Sequence, residues 1–123
     1  MKKTIFIVED ELMLADMYRE KMEMGGFKVV QAFDAEEAIE KIEGTNPDLI
    51  LLDILLPRQS GIYFLERIRE KEELKETPVI AFSNFDDAET RKMAYDLKAK
   101  EYLIKTNYTP QEILDIVKKH IKQ

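Results

Sequence analysis

Five short apolar runs alternate with five amphipathic patterns along the chain, and this alternation restricts the fold more than any other sequence feature. The runs have lengths suited to single strands and cover residues 4–8, 27–31, 48–53, 79–83 and 101–104. The first, third and fourth runs are apolar on both faces, which is typical of central strands in a parallel sheet. The second and fifth runs carry more polar residues and therefore suit the two edges of that sheet.

Apolar residues recur every three or four positions between the runs, which indicates amphipathic helices. The stripe Ala35, Ala38, Ile39 and Ile42 follows the second run, and residues 109–112 combine an N-cap threonine, a proline and a returning carboxylate. We therefore expect an α/β fold, a single (βα)5 doubly wound domain. Its five-stranded parallel sheet should have the order 2-1-3-4-5, with helices on both faces.

The composition fits one globular domain, because 123 residues that are 45% hydrophobic can bury a core. The chain has no cysteine, which excludes disulfides and cysteine metal sites. Its net charge of −6 disfavours direct binding to nucleic acid. We find no signal peptide pattern and no apolar run long enough to span a membrane, so we expect a cytoplasmic protein without direct membrane contact.

Polar side chains capable of chemistry follow the predicted strands. Glu9 and Asp10 close the first strand, Asp53 ends the third, Ser83 ends the fourth and Lys105 follows the fifth. Because the carboxyl ends of parallel strands lie at one edge of the sheet, where such folds bind ligands, we expect these side chains to converge.

The predicted cluster of three carboxylates favours a bound cation, which would relieve their mutual repulsion. Hard oxygen ligands without histidine or cysteine favour Mg²⁺, or a similar ion such as Mn²⁺. The Lys105 ammonium and the Ser83 hydroxyl could bind phosphate oxygens, and Asp53 could attack phosphorus as a nucleophile.

Each of these residues also has an ordinary structural explanation. A single acid at a strand end often caps a helix or a turn, and a single lysine is usually solvated. The combination is harder to explain in this way. Asp53 interrupts the otherwise apolar run 50–56, where a purely structural carboxylate would be unfavourable.

These motifs together resemble those of response-regulator receiver domains, over essentially the whole chain. The resemblance rests on residues 8–11, on residues 53–57 followed by Ser60-Gly61, on Ser83, and on residues 103–105. The resemblance implies three roles near the strand ends, namely phosphoacceptor (Asp53), charge partner (Lys105) and metal ligands (Glu9, Asp10, Asp53 and the backbone carbonyl of Leu55). It also implies a switch in which Ser83 moves toward the phosphoryl group and Tyr102 turns into the space that Ser83 leaves.

By this resemblance the chain is a phosphoacceptor signalling switch of a two-component or phosphorelay system. Mg²⁺-dependent phosphoryl transfer to Asp53 would change the face made by the fourth helix, fifth strand and fifth helix, and so control a partner protein. The implied phosphodonor is a sensor histidine kinase or a histidine phosphotransfer protein, and the implied state is a monomer or a phosphorylation-dependent dimer. We expect residues 1–123 to form one receiver domain without an output domain, and no enzymatic activity beyond assistance to its own phosphorylation and dephosphorylation.

Two positions depart from the family pattern. Thr106 follows Lys105, where the family usually has a proline that is often cis, so we expect a trans bond and a different approach of Lys105. Asn84 follows Ser83, where a small residue is usual, and together with the apolar Leu55 it leads us to expect slow self-dephosphorylation.

Other functions fit the same architecture less well. An aspartyl-phosphate phosphatase or phosphotransferase often needs a second acid two residues after the nucleophile, where this chain has Leu55. A flavodoxin-like binder of flavin or nucleotide needs a phosphate-binding loop after the first strand, where residues 9–11 are acidic. A degenerate receiver domain that only offers a protein-interaction surface would not need the acidic pair and Lys105.

Overall fold

The computed structural model describes residues 1–121, so residues 122 and 123 of the predicted domain lie outside the described part. Strands and helices alternate five times: β1 (Thr4–Val8), α1 (Leu12–Met24), β2 (Lys28–Ala32), α2 (Ala35–Ile42), β3 (Leu49–Asp53), α3 (Gly61–Arg69), β4 (Val79–Ser83), α4 (Ala88–Asp96), β5 (Glu101–Ile104) and α5 (Pro110–His120). A short 3₁₀ turn (Lys105–Asn107) joins β5 to α5.

The five strands form one parallel sheet in the order β2-β1-β3-β4-β5, which confirms the predicted topology. All five residues of β3 and all five of β4 are buried, as the two-sided apolar pattern of these strands predicted. The edge strand β2 begins and ends one residue later than predicted. The reason is that Phe27 closes the end of α1, where its N–H donates to the Met22 carbonyl at 3.1 Å.

Side chains of successive strand residues enter two apolar layers on opposite faces of the sheet. One layer packs against α2, α3 and α4 and contains Phe6, whose ring stacks on Phe64 of α3 at a centroid distance of 6.2 Å. The other layer packs against α1 and α5, and in it Tyr18 meets Phe82 edge-on at 5.3 Å. Helices therefore cover both faces, as predicted. Within residues 1–121, no helix combines the length and the apolar character needed to cross a bilayer.

The start of α3 lies directly against the end of β3. The Gly61 N–H donates to the Ile54 carbonyl at 2.8 Å, and a Cβ atom on Gly61 would lie only 2.4 Å from the Asp53 carbonyl oxygen. The Ser60 side chain caps the helix by accepting from the Tyr63 N–H at 3.3 Å. Glycine is required here because the helix backbone and the strand backbone approach too closely for any side chain.

Candidate functional site

Three carboxylates meet at the carboxyl end of the sheet, as the sequence predicted. Ligand oxygens of Glu9, Asp10 and Asp53 all lie within 4.8 Å of one another. Glu9 and Asp53 are almost completely buried, at 1% and 2% exposure, whereas Asp10 is exposed. Two buried acids therefore lie beneath one acid that faces solvent, and together they make a pocket of hard oxygen donors.

Lys105 supplies the positive charge that pairs with the two buried acids. Its Nζ lies 2.8 Å from Oε1 of Glu9 and 3.2 Å from Oδ2 of Asp53, and the side chain is buried against the ring of Phe82. The peptide bond from Lys105 to Thr106 is trans, as expected without the proline. The chain enters the 3₁₀ turn at Lys105, and the ammonium still reaches both carboxylates.

Backbone N–H groups hold the remaining oxygens of the two buried carboxylates. The Leu55 N–H donates to Oδ1 of Asp53 at 3.1 Å, and the Glu11 N–H donates to Oε2 of Glu9 at 3.1 Å. Each carboxylate thus has one oxygen on Lys105 and one on a backbone amide, which fixes its orientation. The contact of Leu55 with Asp53 runs through the amide, and its predicted role as a carbonyl ligand stays a prediction.

The electrostatics of the pocket favour an additional cation. Burial, together with the nearby charge of Glu9, raises the pKa of Asp53 to about 7, although Lys105 and the Leu55 N–H act in the opposite direction. Burial alone would lower the pKa of Lys105, but its hydrogen bond to Glu9 and the charge of Asp53 raise it above the ordinary value. One ammonium therefore faces three carboxylates, and the donor set fits a hard divalent ion.

The two predicted switch residues lie beside this pocket. Ser83 ends β4 one position beyond Phe82, which pairs with Asp53, and its buried hydroxyl oxygen accepts from the Phe85 N–H at 3.3 Å. Tyr102 is only 5% exposed, and its hydroxyl donates to the Phe85 carbonyl at 3.4 Å. The ring already lies inward in this structure, whereas the sequence led us to expect that it turns in when Ser83 moves.

A model of the response regulator receiver domain family matches residues 5–118. The chain belongs to this family. The receiver domain is 31% identical over 113 residues to the alkaline phosphatase synthesis transcriptional regulatory protein PhoP of Bacillus subtilis, a match that covers 92% of this chain and 46% of PhoP. It is 31% identical over 118 residues to the phosphate regulon transcriptional regulatory protein PhoB of Escherichia coli, covering 96% of this chain and 51% of PhoB. The chain therefore spans about half the length of these curated relatives.

Solved structures of other receiver domains have the same fold. The non-phosphorylated HemR receiver domain of Leptospira biflexa is 28% identical, with a TM-score of 0.90 and coverage of 99% of this chain and 96% of that chain. The response regulator TrrA of Thermotoga maritima, solved in complex with Mg²⁺–BeF, is 28% identical, with a TM-score of 0.84 and coverage of 97% and 99%. The chain is thus a receiver domain of the two-component response regulators.

Sequence reasoning missed the two ion pairs that Arg58 makes in the receiver domain. Arg58 lies in the loop after β3 with a φ of 66°, and its guanidinium binds Asp34 at 2.7 Å and Glu36 at 3.2 Å. These ion pairs tie the loop that carries Leu55 to the start of α2. No local sequence pattern signals these ion pairs, because Glu36 and Asp34 lie 22 and 24 residues before Arg58 in the chain.

Proposed function

We propose that this receiver domain accepts a phosphoryl group on Asp53 in a reaction that requires Mg²⁺ or Mn²⁺. The observation that carries the proposal is the position of the Asp53 carboxylate, which lies between the Lys105 ammonium, the Leu55 N–H and the acids Glu9 and Asp10. A buried carboxylate at an apolar strand end is unfavourable for folding, so its presence favours a chemical role.

The proposed reaction uses each neighbour of Asp53 for one task. A carboxylate oxygen of Asp53 forms a bond to phosphorus while the bond to the donor's imidazole nitrogen breaks, and that electron pair stays on the nitrogen. Lys105 neutralises negative charge on the transferred oxygens, and the Ser83 hydroxyl donates a hydrogen bond to one of them. Glu9, Asp10, Asp53 and the Leu55 carbonyl would hold Mg²⁺, which supplies further positive charge to those oxygens.

The proposed phosphodonor is a sensor histidine kinase or a histidine phosphotransfer protein, and we place the protein in the cytoplasm with it. The complex of TrrA with Mg²⁺–BeF supports the metal requirement by similarity. The proposed signal is a change of the α4–β5–α5 face, read by a downstream protein, in a monomer or in a dimer that forms on phosphorylation. We propose that residues 1–123 make up this one domain and that it turns over no external substrate. The transcriptional regulation in the names of PhoP and PhoB is a function of those longer proteins.

A phosphatase or phosphotransferase with an aspartyl intermediate is not favoured. The position two residues after Asp53 holds Leu55, whose apolar side chain is 48% exposed and cannot transfer a proton. An assay for turnover of a generic phosphoester separates the two functions, and we expect none.

Intact-mass measurement after incubation with acetyl phosphate and Mg²⁺ tests the proposal. The wild type should gain one phosphoryl group, and Asp53→Asn should gain none. Asp96→Asn is a matched control, because Asp96 is an exposed acid at the end of α4 that pairs with Lys92, and this variant should be phosphorylated like the wild type. Equal phosphorylation of Asp53→Asn, or no phosphorylation of the wild type, contradicts the proposal.

A further inference from the structure

Arg91 of α4 joins three elements beside the phosphoacceptor site. Its Nη2 and Nε lie 2.7 Å and 3.2 Å from Oδ1 of Asp86 in the loop between β4 and α4. Its Nη1 lies 3.4 Å from the Tyr102 carbonyl oxygen in β5. The guanidinium carbon lies 4.9 Å from the centroid of the Tyr102 ring, which is within the range of a cation–π interaction.

Tyr102 has three further attachment points besides its carbonyl oxygen. Its ring face carries Arg91, its N–H donates to the Tyr95 hydroxyl at 3.1 Å, and its own hydroxyl donates to the Phe85 carbonyl at 3.4 Å. The N–H of the same Phe85 donates to the Ser83 hydroxyl oxygen at 3.3 Å. Contacts therefore run without a gap from Arg91 through Tyr102 and Phe85 to Ser83.

This chain of contacts affects what the Ser83 hydroxyl can do. A hydroxyl has one proton to donate and two lone pairs that accept. The bond from the Phe85 N–H occupies one lone pair of Ser83 and does not use the hydroxyl proton, which a phosphoryl oxygen could accept. The Phe85 carbonyl lies in the next peptide group and accepts from the Tyr102 hydroxyl, so the Phe85 backbone is restrained on one side by Ser83 and on the other by Tyr102.

We propose that Arg91, anchored on Asp86, is a positioning residue that holds Tyr102 inward and thereby prepares Ser83 to donate a hydrogen bond to the phosphoryl group on Asp53. The inference rests on the proposed function of Asp53. A cation on an aromatic ring at a partly exposed site is a modest interaction, but it is strong enough to change the ratio of two side-chain positions several-fold. If only the inward state binds the phosphoryl group well, the apparent affinity falls in proportion to the population of that state.

The first test uses the metal-free protein labelled with 3-fluorotyrosine, and it follows Tyr102 by ¹⁹F NMR. The chain has five tyrosines, and Tyr102→Phe assigns the resonance by its absence. Arg91→Ala and Asp86→Asn should each shift or broaden the Tyr102 resonance, because each removes the hold on the ring. The side chains of Asp86 and Arg91 are partly exposed, so both variants are expected to fold. Asp86→Asn removes only the negative charge that anchors Arg91 and is therefore the milder test of the same contact.

The second test measures the affinity for beryllofluoride in the presence of Mg²⁺. Arg91→Ala and Asp86→Asn should each weaken binding by roughly threefold to tenfold. In a Tyr102→Leu background, Arg91→Ala should cause no further loss, because the effect passes through the ring.

A matched control is Arg67→Ala in α3. The guanidinium of Arg67 lies 5.8 Å from the Tyr63 ring and binds its hydroxyl at 3.1 Å, so it is a similar pair outside the site. This variant should leave both the Tyr102 resonance and the beryllofluoride affinity unchanged.

The two hypotheses fail in different ways. If the wild type does not bind beryllofluoride, the proposed function is wrong, while the Tyr102 resonance still reports whether Arg91 holds the ring. If the wild type binds, and Arg91→Ala and Asp86→Asn both bind with wild-type affinity, the role of Arg91 is overturned. An unchanged Tyr102 resonance in both variants overturns it as well.

Discussion

Replacement of Asp53 by asparagine should stabilise the metal-free receiver domain at about pH 8. Asp53 is 2% exposed, and burial beside Glu9 raises the pKa of its carboxyl from 3.8 to about 7. A difference of about three pKa units corresponds to about 4 kcal/mol of destabilisation when the carboxylate is fully ionised. Local relaxation around buried charges reduces such penalties, so we expect a gain in the free energy of unfolding of about 2 kcal/mol for Asp53→Asn.

The sign of this effect depends on pH. Between pH 3.8 and about pH 7 the native state keeps a proton on Asp53 that the unfolded state has already released. The native state then binds more protons, so this group makes the wild type less stable as the pH rises through that window. The advantage of Asp53→Asn should therefore be only about a third of its full size at about pH 5 and should reach its full size above pH 7.

Urea denaturation followed by far-UV circular dichroism, with EDTA present, measures the effect at about pH 5 and about pH 8. Asp96→Asn is again the matched control, because this exposed substitution should change the stability by less than about 0.5 kcal/mol at either pH. Added Mg²⁺ should stabilise the wild type and so reduce the difference in the free energy of unfolding between it and Asp53→Asn. Burial of Asp53 does not destabilise the fold if Asp53→Asn is no more stable than the wild type at about pH 8, or if the difference in their free energies of unfolding is the same at both pH values.

Three further predictions concern the neighbours of Asp53. Gly61→Ala should lower the free energy of unfolding by about 2 kcal/mol and slow phosphorylation, because its Cβ would lie 2.4 Å from the Asp53 carbonyl oxygen. The control Gly44→Ala has open space around its Cβ, so it should lower the free energy of unfolding by only about 1 kcal/mol in the same urea assay. Equal losses would contradict the close-approach argument. Lys105→Met should lower the free energy of unfolding by about 3 kcal/mol in EDTA at about pH 8, since it leaves two buried carboxylates without their cation. Mg²⁺ should restore part of this stability. An unchanged urea midpoint would show that Lys105 does not stabilise the two carboxylates. The apolar Leu55 predicts a phosphoryl label that lasts for minutes when intact mass is followed after removal of acetyl phosphate, and complete loss within seconds would contradict this.

The sheet order and the convergence of the acids could be predicted from the sequence for a simple reason. Two-sided apolar runs must lie at the centre of a parallel sheet, and the residues that end such strands must share an edge. Glu9, Asp53 and Lys105 meet there, as expected. The one-residue shift of β2 was not predictable, because it depends on Phe27 closing a helix rather than joining a strand.

The contacts around the switch could not be read from the sequence. They depend on which way side chains turn and on partners distant in the chain, such as Arg91 over Tyr102 or Arg58 on Asp34. Neither arginine stands in a pattern with a characteristic spacing. The inward position of Tyr102 is likewise set by packing and by the cover that Arg91 provides, which only the folded structure supplies.

Localisation of the phosphoryl group tests the central claim most directly. Reduction of the phosphorylated protein with borohydride converts an aspartyl phosphate to homoserine, and digestion with trypsin releases residues 42–58, which contain both Asp48 and Asp53. Fragmentation of this peptide by mass spectrometry distinguishes the two positions. If Asp53 is the phosphoacceptor, homoserine should appear at position 53 alone, and homoserine at position 48, or in any other peptide, would contradict that assignment.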